Sequence, residues 1–239
     1  MQSNRQDHQS SQLEKKVNQL GLPFSINASY VLDDFSGEKN QELVVNILNL
    51  IKGKATANIF VYGDKGFGKS HLLQGVIIEG LKLDQKSVYL DLNDDVSADI
   101  FELISDFQII ALDNVDQCNQ ENEKYIFDLI NRLHSTNQMI VFSSRVKPEG
   151  LSVFNDLKTR LSLASIYSLN RLDDDEIQHV IKRKLIIKSL KVDQRVIDYL
   201  IKNQTRDLKK IIEIIDKLDT FSLEKKRGIT VPLVRQMLG

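Results

Sequence analysis

A single cysteine, Cys118, occurs among the 239 residues, which excludes an intramolecular disulfide. A lone thiol adds no zinc site, and the four histidines fall at no metal-ligand spacing. Cys118 itself reads as an inert loop residue. Basic excess is also missing: 32 Lys and Arg stand against 33 Asp and Glu, a formal net charge of −1. A dedicated nucleic-acid binder usually carries that excess, because phosphate neutralisation drives its affinity. Direct sequence-specific DNA binding is therefore not the expected role, although a local basic patch is compatible with these totals. No apolar run is long enough to cross a bilayer. The polar start, Met1 to Ser11, lacks the apolar core of a signal peptide. The expected location is the cytoplasm, with no membrane partner.

What is present is a chain of ordinary charge content, 27%, with 41% hydrophobic residues, enough for a sizeable core. Residues 1–18 are polar, rich in Gln and Ser, and read as a disordered tail. Gln19-Leu20-Gly21-Leu22-Pro23-Phe24 is an apolar island at its end. Composition leaves two readings open, a docking peptide or a strand packed on its own domain. From Asn58 on, short apolar strands alternate with helices: strands at 58–62, 87–91, 107–112, 138–143 and 166–169, helices at 70–80 and 121–133. Continuous apolar strands between helices predict an α/β fold with a parallel sheet covered on both faces. After Leu169 the pattern turns helical, with helices expected at 173–189 and 193–203. Leu208, Ile211, Ile212, Ile215 and Leu218 then share one helical face. The expected division is an α/β nucleotide-binding domain at 25–169 and a small all-α domain at 170–239.

Gly63-Asp64-Lys65-Gly66-Phe67-Gly68-Lys69-Ser70 matches G-x-x-x-x-G-K-[ST] between an expected strand and an expected helix. Glycines there let the backbone curl so that its N–H groups meet phosphate oxygens, and the helix N-terminus adds positive potential. Lys69 is expected on the β- and γ-phosphates and the Ser70 hydroxyl on Mg²⁺. Ile109-Ile110-Ala111-Leu112-Asp113 is an apolar strand ending in an acid, the Walker B pattern, with Asp113 holding the metal through water. The next residue is Asn114, and an amide cannot take a proton from an attacking water. Weak intrinsic hydrolysis is the expectation. Arg160, before the strand at Ile166, reads either as a surface ion pair or as an arginine reaching a neighbour's phosphates. Arg206, just before the apolar helix face, is placed to fold back over the phosphates. His71 reads as packed rather than catalytic.

Together these residues resemble the AAA+ domain of the DnaA-type bacterial replication initiator, and most of all the family's shortened Hda-like regulatory branch. The resemblance runs from about Gln19 to the C-terminus. Tyr30-Val31-Leu32-Asp33-Asp34-Phe35 is similar to the family's opening segment near the adenine, which brings Tyr30 and Phe35 toward the nucleotide. Gly63 to Leu73, including His71, is similar to its phosphate loop and helix start. Leu112 to Val115 matches an Asp-Asn form of Walker B, and Ile126 to Arg132 resembles the helix that follows. Arg160 falls on the arginine finger, Arg206 on the sensor 2 arginine, and Thr230 to Val234 on the closing helix. One departure is Ser143-Ser144-Arg145, where the family often ends the strand in Asp. Ser143 or Ser144 would have to supply the sensor 1 contact.

The resemblance implies more than the spacing does. The sequence stops after the helical lid, where the initiator continues into a DNA-binding domain. Gln19, Leu20, Leu22 and Phe24 resemble the peptide that binds the polymerase sliding clamp, Gln by hydrogen bonding and the apolar residues by filling a pocket. The implied function is a negative regulator of replication initiation. It would bind ADP or ATP with Mg²⁺, dock on the clamp and so associate with the nucleoid. It would stimulate ATP hydrolysis by the initiator in trans, and a homo-oligomer, a dimer, is implied. The rival readings are a self-acting AAA+ ATPase such as a helicase loader, and a truncated initiator-like DNA-binding factor.

Overall fold

The computed structural model describes residues 26–27, 30–35, 38–53, 57–94, 96–133, 136–188, 190–203 and 208–238. The chain divides into two compact units, Met1–Arg171 and Leu172–Gly239. The first is built on five strands: β1 Ile59–Tyr62, β2 Ser87–Asp91, β3 Ile109–Asp113, β4 Met139–Ser144 and β5 Ser165–Ser168. All neighbours are parallel, in the order β2-β3-β4-β1-β5. Its helices are α1 Glu38–Ile51, α2 Lys69–Lys82, α3 Ala98–Ile104, α4 Gln120–Leu133 and α5 Asn155–Ser162.

Strands β1 to β4 read as apolar runs because both faces are covered, whereas β5, Ser-Ile-Tyr-Ser at the sheet edge, is largely exposed and departs from the expected covered sheet. Alternate residues then serve two cores. Phe60, Leu90, Leu112 and Phe142 pack with α3, α4 and α5, around Phe101, Ile126, Leu129 and Leu161. Ile59, Val61, Tyr89, Ala111 and Val141 face α1, α2 and the 3-10 turn Leu32–Phe35. Helix α1 joins through Leu43, Val44, Ile47 and Ile51, one stripe at helical spacing. Its buried Asn40 is satisfied by Asn170, donating to that carbonyl at 3.2 Å and accepting its N–H at 3.0 Å. The start of α1 is thereby tied to the chain beyond β5.

Strand β3 begins at Ile109 rather than at Phe107. The Phe107 N–H bonds Ile104 O at 2.9 Å to close the turn after α3, so the ladder opens two residues later.

The second unit holds α6 Asp174–Ile187, α7 Gln194–Asn203, α8 Leu208–Lys225 and α9 Val231–Leu238. Helix α6 starts in a capping box: Asp173 accepts the Glu176 N–H at 3.0 Å and the Glu176 carboxylate accepts the Asp173 N–H at 2.8 Å. A separate core of Ile181, Ile197, Leu200, Ile211, Leu218 and Val234 joins the four helices. Among the described residues no helix is long and apolar enough to cross a membrane.

Candidate nucleotide site

The loop after β1 turns into α2 through Gly66 and Gly68, whose φ values of 86° and 96° lie in the left-handed region that glycine adopts without strain. A Cβ on Gly68 would also stand 3.1 Å from the Phe35 ring. That ring, 2% exposed, backs the loop. Asp64 and Lys65 are exposed, and Phe67 and Ser70 half-buried. Lys69 is buried, and its ammonium donates to Gly63 O at 2.6 Å and Asp64 O at 3.1 Å. Burial lowers its pKa, against the pull of Asp113 and Asp116. An ammonium held, among the described residues, by two loop carbonyls at a helix N-terminus is poised to exchange them for phosphate oxygens.

His71, in the first turn of α2, clasps the opening segment. It stacks on Tyr30 with centroids 4.1 Å apart, meets the Phe35 ring edge-on at 5.2 Å, and lies 2.8 Å from the Asp34 carboxylate. The packed role read for His71 fits this setting.

Asp113 ends β3 with no exposed surface. Its Oδ1 accepts from the Ser143 hydroxyl and from the Asn114 N–H at 3.0 Å, and its Oδ2 from the Tyr89 phenol at 2.7 Å. Burial first, then Asp113, raises the Tyr89 pKa, so the phenol keeps its proton. Asn114 sits at φ 59°, in the left-handed conformation that asparagine tolerates better than most residues. Its side-chain amide donates to Asp91 Oδ1 at 2.8 Å. Asp116 faces β4: it accepts the Arg145 N–H at 3.1 Å and lies 3.6 Å from the Arg145 Nε. Tyr89 and Asp91 were not singled out in the sequence. The parallel register that sets Asp91 beside Asp113 is the signal that finds them.

Arg160 lies in the second turn of α5, half-buried, and no carboxylate among the described residues pairs with it. Leu157 and Leu161 seat the helix in the core, and the Glu123 carboxylate of α4 accepts the Phe154 N–H at its start, at 3.0 Å. Cys118 follows the Walker B turn. Burial, then Glu123, pushes its thiol up to about 12, so it stays protonated at neutral pH. Arg206 and the peptide Gln19, Leu20, Leu22 and Phe24 lie outside the described residues.

These groups suit a magnesium nucleotide. A Cβ on Gly66 would meet nothing within 4 Å, so the loop is open at that residue. Among the described residues no group of three or more His, Cys, Asp or Glu could hold a metal ion alone. Ser70 and Asp113 offer oxygen donors of the kind Mg²⁺ takes, one or two from the protein with phosphate and water completing its shell.

The family model of the bacterial DnaA ATPase domain matches residues 26–167, more than half the chain. This protein belongs to the bacterial DnaA ATPase family. The model of the Hda lid domain matches residues 168–238 of this DnaA-family chain, which makes it an Hda-like, DnaA-related AAA+ protein. Its α/β AAA+ fold is shared with domain III of the Thermotoga maritima replication initiation protein DnaA. That match has a TM-score of 0.75 and 21% identity, over 90% of this chain and 98% of that one. A replication initiator DnaA bound to AMPPCP and single-stranded DNA is similar with a TM-score of 0.69 and 25% identity, over 85% of this chain and 69% of that one. An uncharacterised protein of Haemophilus influenzae is 29% identical over 227 residues, 92% of this chain and 98% of that protein.

Proposed function

We propose that this chain is a nucleotide-dependent negative regulator of replication initiation. It binds adenine nucleotide at the Lys69 loop, docks on the polymerase sliding clamp through Gln19 to Phe24, and inserts Arg160 into the ATP site of a DnaA-type initiator. The observation that carries this reading is Asn114. An amide stands where a self-acting ATPase needs a carboxylate, and its N–H donors are aimed at Asp91. The nearby acids are turned elsewhere, Asp91 accepting from Asn114 and Asp116 from Arg145. A site that binds but hydrolyses poorly suits a protein whose chemistry is done in its partner.

Lys69 and the loop N–H groups would hold the phosphates, Ser70 and Asp113 the Mg²⁺, and Tyr30, Phe35 and His71 the base side. Bound nucleotide orders the loop, and Arg206 of the lid reads it. Clamp docking raises the local concentration of Arg160 near the ATP-bound initiator. The guanidinium stabilises charge on the transferring γ-phosphoryl group, and the initiator passes to its ADP form. A dimer would form through the AAA+ unit. The deciding experiment is a γ-phosphate release assay with initiator alone, with this protein added, and with clamp-loaded DNA as well. Stimulation only in the complete mixture is expected; no stimulation in any mixture would end this reading.

Two expectations follow. ADP at a hundredfold excess over Kd should stabilise the fold by about 2.7 kcal/mol, because it binds the native state alone. Thermal denaturation should show that shift shrinking in Lys69→Ala. Gln19→Ala combined with Leu22→Ala should abolish co-elution with the clamp and leave the ADP-induced shift intact. A double variant that still co-elutes would show that the peptide has been misread.

A further inference from the structure

The Walker B acid of this chain accepts three hydrogen bonds. A carboxylate offers about four acceptor positions, and Ser143, Asn114 and Tyr89 occupy three of them on Asp113. The Tyr89 phenol alone sits on Oδ2, and both groups are buried. Its proton has a fixed direction. The phenol donates its single proton to Asp113 Oδ2 at 2.7 Å.

A magnesium-bound water approaching Asp113 is also a donor, and it needs the same carboxylate lone pairs. Each donor already present draws charge from the carboxylate and narrows the angles left for another. Asn114 of the turn and Ser143 of strand β4 share Oδ1, whereas Tyr89 of strand β2 takes Oδ2. We propose that Tyr89 sets the preference between magnesium-bound and metal-free nucleotide, by occupying the Asp113 oxygen that a water of the metal's shell would take. The chain then holds ADP almost as tightly without the metal as with it. This rests on the nucleotide reading above and assigns the Lys69 loop, not the metal, as the main hold on the phosphates.

The test is an equilibrium titration of fluorescently labelled ADP against the full chain, in millimolar Mg²⁺ and in EDTA. The parent should give closely similar Kd values in the two buffers. Tyr89→Phe frees Oδ2, and its Kd should become about tenfold tighter in Mg²⁺ than in EDTA, the usual worth of a hydrogen bond to a charged group. Ser143→Ala should shift the ratio in the same direction and decides the matter if Tyr89→Phe does not fold. A parent that loses about tenfold or more in affinity on chelation overturns the inference. So do two folded variants that keep the parent's ratio. Absence of ADP binding by the parent in either buffer is a different failure, which removes the nucleotide reading and this inference with it.

Discussion

Arg160→Ala is expected to fold, bind ADP and bind the clamp as the parent does, yet lose most of the hydrolysis stimulated in the initiator. An arginine that acts in trans typically contributes roughly 10³ to 10⁵ in rate. The structure explains why the loss should be confined to that step. Leu157 and Leu161, both 0% exposed, seat α5, and the Glu123 carboxylate holds its first turn. The guanidinium contributes to neither anchor, and no described carboxylate depends on it. Arg160→Lys should fail too, since a planar fork of donors is replaced by a point charge. The measurement is initiator-bound ATP hydrolysis with clamp-loaded DNA, alongside ADP affinity for each variant. An Arg160→Ala protein that stimulates like the parent would make the chain a tether, and the trans mechanism would have to be given up.

The phosphate loop and the Walker B acid were legible because each couples a residue pattern to an element boundary: Gly63 to Ser70 at a strand-to-helix turn, Asp113 at the end of an apolar run. The covered parallel sheet was legible for a related reason, since only strands buried on both faces read as Ile109 to Leu112 does. Less visible were features made by pairing. Tyr89 looks like any aromatic in a strand until the parallel register of β2 and β3 brings its phenol to Asp113. Asp91 reads as a strand-end acid until Asn114 turns its amide toward it. Helix α5 spans eight residues, too short for its two buried leucines to stand out as a helical period. The 3-10 turn at Leu32–Phe35 carries no periodic pattern at all. It is recognised by what it touches, with Leu32 and Phe35 sealed against α2 and Asp34 on His71.

Phe142→Ala is the substitution expected to cost the α/β unit most. The ring is 1% exposed, and its residue pairs across the sheet with Phe60 of β1 and Leu112 of β3. The Phe60 ring lies 6.2 Å away, centroid to centroid. Removing a sealed aromatic side chain loses its transfer energy and leaves a cavity, about 3–5 kcal/mol in total. A unit of this size should then melt roughly 10 °C lower. Val45→Ala, at an exposed position on α1, is the control and should stay within about 0.5 kcal/mol of the parent. A loss below about 1 kcal/mol for Phe142→Ala would mean that the sheet is not sealed as described. Adding ADP separates packing from binding. At a hundredfold excess over its Kd, the nucleotide should return about 2.7 kcal/mol to the variant as it does to the parent. If the parent gains that shift and the variant does not, the cavity has spread along β4 to the next residue. Ser143 would then have lost its hold on Asp113, and the core and the nucleotide site would be one cooperative structure.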